Sequence, residues 1–278
     1  MIWGASSLLV CFIPLLSVSA IPVNTEADNA LAITRSAQAA KAPALRIHAI
    51  GASIVYGQGS AYGNGFRRAM RSALVAEGRQ VNMIGSKKCG QMGDNECDGF
   101  PGLRISQVQN QTGLKTALKQ KPNVVLVLAG TNDALQGHDP NAMANDMYNF
   151  ISYILSIATN AVVVVSTLPP NGNKKAEAVI KGYNTLLADV VEILRGDLKK
   201  PVFMVDNHSS WWSMADMQSD GTHPNDNGYV KMARVFYDGI HTVAPWTTTP
   251  AQSSLPAMGP SDPKSIGPAP VLPQQPKA

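Results

Sequence analysis

The segment "QSDGTHPNDNGY" at residues 218–229 sets the carboxylate of Asp220 three residues before the imidazole of His223, with Gly221 between them and Pro224 beyond. Glycine lets the chain turn tightly and proline stiffens its exit, so both side chains belong to one loop. A carboxylate held against an imidazole fixes its tautomer. That imidazole can then take the proton of a serine hydroxyl and return it to a leaving group. The matching nucleophile lies far upstream, in "GASIVYGQG", where Ser53 is flanked by small residues. In "AGTND" the amide of Asn132 is of the right type to donate to a developing oxyanion, an effect worth roughly 3 kcal/mol per donor. Gly102, in "CDGFPGLRI", offers a bare backbone N–H for the same task. Taken singly, each has a plainer reading: Ser53 and Asp133 as turn or cap residues, the Asp–His pair as an exposed loop. Together they supply the groups that one acyl-transfer mechanism needs.

These groups act together only if the fold sets them side by side. Apolar, β-rich runs at 45–53, 81–86, 123–133, 161–169 and 201–207 predict five strands. The third and fourth are nearly continuous in apolar residues, as in parallel strands buried on both faces. Helical patterns occur at 65–77, 104–119, 140–157, 174–195 and 226–242, and the third begins with Asp139 placed to cap and Pro140 at the first helical position. This alternation predicts an α/β doubly wound sheet with helices on both faces. Ligands bind such sheets beyond the carboxyl ends of the strands, which is where Ser53 and Asn132 fall.

The rest of the chain narrows the setting. An apolar run from Leu8 to Leu16 followed by Ser17-Val18-Ser19-Ala20 reads as a signal peptide at 1–20, too short for a membrane span. Secretion to the extracellular space is therefore expected, with a leader or linker at 21–43, a single domain at 44–246 and a disordered Pro-rich tail at 247–278. Cys89 and Cys97 are expected to form a disulfide, since no further ligands stand near enough for a metal site. Asn110 and Asn207 each head a glycosylation sequon. The net charge of +4 is scattered rather than striped, and no nucleic-acid motif is present, so no nucleic-acid partner and no membrane span are expected. A monomer is expected.

The blocks "GAS…G" at 51–57, "DGFPGLRI" at 98–105, "GTND" at 130–133 and "DGTHPNDNGYVKMA" at 220–233 resemble those of SGNH (GDSL-type) hydrolases. The segment "IGS…GQMGDN…DGFPG" is most similar to carbohydrate esterase family three, the acetylxylan esterase-like subgroup. The resemblance spans roughly residues 45–245. It implies a flavodoxin-like three-layer α/β/α sandwich with a parallel five-stranded sheet and no cofactor. Ser53 would be the nucleophile, Asp220 and His223 the acid and base, and Ser53, Gly102 and Asn132 the oxyanion donors. The implied substrate is a small ester or acylated polysaccharide such as acetylated xylan. One departure stands out: the first block usually reads Gly-Asp-Ser, and here Ala52 replaces the carboxylate.

Other residues carry less. His48, inside the first strand, reads as a packed histidine, and Trp211 and Trp212 are equally suited to packing and to stacking on sugars. The glycines at 57, 59 and 63 miss dinucleotide-fingerprint spacing by one, and the GxSxG elbow of α/β-hydrolases is absent. Two alternatives to a carbohydrate deacetylase remain: a lipase or phospholipase of the same fold, or a non-catalytic carbohydrate-binding protein.

Overall fold

In a computed structural model that describes residues 43–276, β1 (Leu45–Gly51) is buried along its whole length. It therefore runs through the middle of the sheet. β2 (Val81–Ile84) pairs in parallel with its first half on one side, and β5 (Val124–Leu128) pairs in parallel on the other. β6 (Val162–Ser166) and β7 (Val202–Val205) continue the parallel sheet outward from β5. β5 and β6 are wholly buried, as their unbroken valine and leucine runs require. The order β2–β1–β5–β6–β7 reverses direction between β1 and β5, and a ligand cleft belongs at the carboxyl end of that switch point.

Two layers of helices cover the sheet. On one face α2 (Gly65–Ala76) packs on α8 (Asp226–Thr242), with Phe66 and Phe236 stacked at 4.6 Å between centroids. On the other lie α3 (Ile105–Gln109), α4 (Thr112–Leu118), α6 (Pro140–Ile157) and α7 (Lys174–Glu192). Two single-turn helices, α1 (Ser53–Tyr56) and α5 (Thr131–Leu135), follow β1 and β5 directly. The expected three-layer α/β/α fold is thus observed.

Several details differ from the sequence reading. The helix predicted over 104–119 is broken, because Gln111 leaves the helical region at φ −71°, ψ 126°. The break seats Gly113 directly against Ser86, where any Cβ would collide with the hydroxyl. The Gly-rich stretch after β2 is a two-stranded antiparallel hairpin, β3 (Lys87–Lys88) and β4 (Glu96–Gly99), fastened by the Cys89–Cys97 disulfide. β4 also extends the main sheet by pairing in parallel with Ile50 and Gly51. Asn207 is fully buried and its amide donates to Ser166 Oγ at 2.8 Å, so its sequon has no room for a glycan in the folded chain, whereas Asn110 is exposed.

The proline-rich segment keeps an irregular backbone but is not loose. Thr248 and Ala251 carbonyls accept hydrogen bonds from Asn123 and Arg46 at the amino ends of the strands. Gly259 N–H donates to Val81 O at 3.0 Å, covering the free edge of β2. Asp262 pairs with Arg68 at 2.7 Å, and the same guanidinium donates to the carbonyls of Ile266 and Gly267. Composition alone misses this docking, because beside the apolar contacts of Ile266 and Leu272 the segment holds on through carbonyls and one carboxylate given to Arg46 of β1 and Arg68 and Arg71 of α2. The signal peptide and most of the leader lie outside the described residues. Among the described residues no helix is long and apolar enough to cross a membrane.

Deleting residues 247–278 uncovers the β2 edge and leaves Arg68 without those partners. Scanning calorimetry is expected to show a Tm lower by roughly 5–10 °C, at about 2–4 °C per kcal/mol for a domain of this size. A change below about 2 °C would show the segment to be an ornament.

Candidate active site

Gly51 ends β1 so close to Leu128 O that no side chain fits there, and Ser53 opens the next turn of helix. As the first residue of α1, it has a backbone N–H with no partner inside that turn. The turn closes at Gly57 (φ +98°), whose N–H donates back to Ser53 O and Ile54 O. Tyr229 Oη fastens it from α8 by donating toward Ile54 O and Gln58 O. Arg67, fully buried on α2, donates to Val55 O, Tyr56 O, Gly63 O and Cys89 O at 2.9–3.1 Å. Desolvation pushes the pKa of that guanidinium down to about 10. The residue stayed hidden because an arginine in an amphipathic helix reads as solvent-facing. Its only sequence signal is a position among the apolar residues Phe66, Ala69 and Met70.

The loop after β7 completes the arrangement. His223 Nε2 lies 2.9 Å from Ser53 Oγ, and His223 Nδ1 lies 2.7 Å from Asp220 Oδ2. With Nδ1 protonated and donating to the carboxylate, Nε2 is free to accept from the serine. The other oxygen of Asp220 accepts the N–H groups of Thr222 at 2.8 Å and His223 at 3.0 Å. Partial desolvation is the largest single influence on Asp220 and would raise its pKa. The hydrogen bonds from His223 and Thr222 together outweigh it and hold the carboxyl below its ordinary value. Gly221 takes the left-handed conformation (φ +65°), and its carbonyl accepts Gly172 N–H at 2.8 Å. Asn171 adds a bond to Thr222 Oγ1 at 3.2 Å, so the loop after β6 backs the loop that carries the dyad.

The residues expected as oxyanion donors stand on two further loops. Phe100 N–H donates to Gly51 O at 2.9 Å, which brings the 100–104 loop to the end of β1. Gly102 is exposed with φ +82° and open space where a side chain would be. Asn132, at the end of the neighbouring strand β5, donates one amide hydrogen to Leu103 O at 2.8 Å and keeps a second for a ligand. The structure thus joins Ser53, His223 and Asp220 in one hydrogen-bonded chain and links Asn132 to the Gly102 loop at the same edge. Asp133 does not cap the helix that contains it. It accepts Ile105 N–H at 3.1 Å instead, and burial pushes its carboxyl up.

The remaining candidates are structural. His48 Nε2 meets Asp98 Oδ2 at 2.7 Å in complete burial, and Asp98 also accepts from Ser86. Trp212 is buried, while the Lys231 ammonium lies over the Trp211 ring at 5.6 Å. His208 is held between Leu168 O at 2.8 Å and Glu177 at 3.1 Å.

Residues 49–231 match the model of the GDSL-like Lipase/Acylhydrolase family. A multidomain esterase of Ruminococcus flavefaciens is 25% identical over 253 residues, covering 80% of this chain and 32% of the relative. The chain therefore spans about a third of that protein's length. Among solved structures, a family 3 carbohydrate esterase of Clostridium thermocellum superposes with a TM-score of 0.64 at 24% identity, over 73% of this chain and 99% of the other. One of the same family from Talaromyces cellulolyticus gives 0.63 at 17% identity, over 73% and 100%. These two likenesses establish the fold.

Replacing Arg67 by methionine removes four hydrogen bonds, two of them in full burial, where each unsatisfied group costs on the order of 1–3 kcal/mol. Urea unfolding of Arg67→Met is expected to show a loss of about 3 kcal/mol or more, and a loss under about 1 kcal/mol would mean the turn holds without it.

Proposed function

The chain belongs to the GDSL-like lipase/acylhydrolase family, and we propose that within it this protein is a secreted serine esterase that removes small acyl groups, acetyl foremost, from plant cell-wall polysaccharide such as xylan. The observation that carries the reading is the unbroken chain Ser53–His223–Asp220 at the carboxyl edge of the sheet, with hydrogen bonds of 2.9 and 2.7 Å. The carbohydrate part draws on the fold shared with family 3 carbohydrate esterases and on the resemblance of the "GQMGDN…DGFPG" segment.

Ser53 Oγ attacks the ester carbonyl while its proton passes to His223 Nε2. A new C–O bond forms, and the carbonyl electrons move to oxygen. That oxyanion faces the N–H groups of Ser53 and Gly102 and the second amide hydrogen of Asn132. Collapse breaks the bond to the sugar oxygen, which leaves with the proton from His223. A water molecule then attacks the acyl-serine, giving its proton to His223, and the acid departs as Ser53 recovers its hydrogen. Throughout, Asp220 stabilises the imidazolium without itself taking a proton.

Acetate release from acetylated xylan, beside 4-nitrophenyl acetate and a long-chain ester, tests the reading. Turnover on xylan is expected, and His223→Ala should lower kcat by roughly 10³–10⁴-fold or more. Turnover confined to the long-chain ester would move the protein to the lipase reading, and none on any ester would make it a binding protein.

The folded-state pKa of Asp220 is depressed below the unfolded one. Its contribution to stability is therefore present above the ordinary carboxylate range and disappears as pH falls through the depressed value. Asp220→Asn should remove that acid limb from a plot of stability against pH. An unchanged profile would mean that the carboxylate is not held as described.

A further inference from the structure

Gly102 is held by nothing of its own. It has no side chain, it is exposed, and a Cβ built on it would touch no atom within 4 Å. A donor so free points where its neighbours direct it. Upstream the fixed point is the bond from Phe100 N–H to Gly51 O. Downstream, the three consecutive residues after Gly102 are each bound from the single segment 132–138. Leu103 O accepts from Asn132 Nδ2 at 2.8 Å, Arg104 Nη1 lies 2.7 Å from His138 Nε2, and Ile105 N–H donates to Asp133 Oδ2 at 3.1 Å. The segment that holds them is itself rigid: Ala134 N–H donates to Gly130 O and His138 N–H to Asp133 O, both at 3.0 Å.

We infer that Asp133 and His138 are positioning residues of the oxyanion pocket, which lock the Gly102 loop and the Asn132 turn into one unit. The inference rests on the esterase reading above and assigns a role to two side chains that the acyl-transfer steps leave unused.

The chemistry of each contact supports a dedicated role. An arginine carries no acceptor and stays charged, so its bond to His138 requires a neutral imidazole with a bare Nε2 and its proton on Nδ1. Asp133 is 1% exposed, and no cation pairs with its carboxylate among the described residues. Burying a carboxylate to accept a backbone N–H is unfavourable by itself. An apolar residue would pack there at lower cost but would leave Ile105 N–H, and with it the end of the Gly102 loop, untied. The Asp133 carboxyl also lies near the Tyr183 hydroxyl, which has no hydrogen-bond partner among the described residues.

The test compares Asp133→Ala and His138→Ala with the acceptor-retaining Asp133→Asn and His138→Gln. Readouts are kcat and KM on 4-nitrophenyl acetate and inhibition by phenylboronic acid, whose tetrahedral serine adduct places a hydroxyl in the oxyanion pocket. Both alanine variants are expected to lose roughly 10- to 100-fold in kcat with KM little changed, the scale on which a misplaced donor acts. Boronate affinity should fall by the same factor, and the Asn and Gln variants should recover most of both. Wild-type kcat in both alanine variants overturns the inference. So does a loss of kcat with boronate affinity intact, since the adduct's hydroxyl takes the same donors as the oxyanion.

Amide hydrogen exchange across 102–105 reads the contact without turnover, and it also serves if Asp133→Ala folds poorly, because His138 lies on a half-exposed turn. Faster exchange in the alanine variants is expected, and unchanged exchange overturns the inference even in a protein that hydrolyses nothing. A wild type without His223-dependent turnover would instead sink the esterase reading.

Discussion

A buried cation with no counter-ion among the described residues ties together the segments around the proposed site. The guanidinium of Arg67 is wholly buried, and its hydrogen bonds go to carbonyl oxygens of the turn behind Ser53, the glycine loop that follows, and the disulfide hairpin. Four carbonyl dipoles from three loops converge on one planar, rigid donor set, which lysine could not reproduce because its ammonium lacks the fork. The arrangement accepts a desolvation cost, visible in the lowered pKa of the guanidinium, in return for a fixed relation between segments far apart in sequence. Two of those segments border the proposed site: Ser53 opens one, and the hairpin runs through Gly99 into the Gly102 loop.

The same device recurs with the sign reversed. Asp94, Asp98 and Asp133 are all buried, and each accepts a backbone N–H from another segment: Met83 in β2, Ser86 just after it, and Ile105 at the start of α3. Asp94 accepts Met83 N–H and pairs with Arg71, which reaches onward to Gly259 of the C-terminal segment. Asp98 joins His48 on β1 to Ser86 at the end of β2, directly below the residues that lead to Gly102. Apolar packing builds the sheet and its helices, but it is non-directional and cannot aim a loop. The loops at the carboxyl edge are aimed by buried polar groups, each able to accept or donate in only a few directions.

That division explains what the sequence made legible. Strands β1, β2, β5, β6 and β7, the helices that cover them, and the residues meeting at the strand ends follow from periodicity and strand-end position, because burial writes itself into apolar pattern. The meeting of Ser53 with His223 and Asp220 was readable for a related reason: the serine follows one strand, β1, and the Asp–His pair shares the loop after another, β7, at the same edge of the sheet. The break at Gln111 was not readable, since it depends on Gly113 reaching Ser86 across more than twenty residues of chain. Nor was the docking of 247–276, where carbonyls of a Pro-rich segment satisfy Arg46, Arg68 and Arg71 beside the apolar contacts of Ile266 and Leu272. The burial of Asn207 was not readable for the opposite cause. A sequon suggests a surface, but the short polar side chain here satisfies Ser166 in the interior.

Ala52 borders this framework of buried polar contacts. It stands where the resembling sequences carry a carboxylate, and it is buried beside the nucleophile. Its carbonyl accepts Tyr56 N–H at 3.0 Å, a bond that any residue would make. The turn it leads into is held from elsewhere: Arg67 takes the carbonyls of Val55 and Tyr56, Tyr229 those of Ile54 and Gln58, and Gly57 closes back on Ser53. A carboxylate at position 52 would have to be buried against that set with a donor of its own, at a cost that alanine avoids. The Ser53 hydroxyl keeps its 2.9 Å approach to His223 with alanine in place. The position of Ser53 therefore follows from the far side of its turn, and the missing carboxylate leaves that support intact.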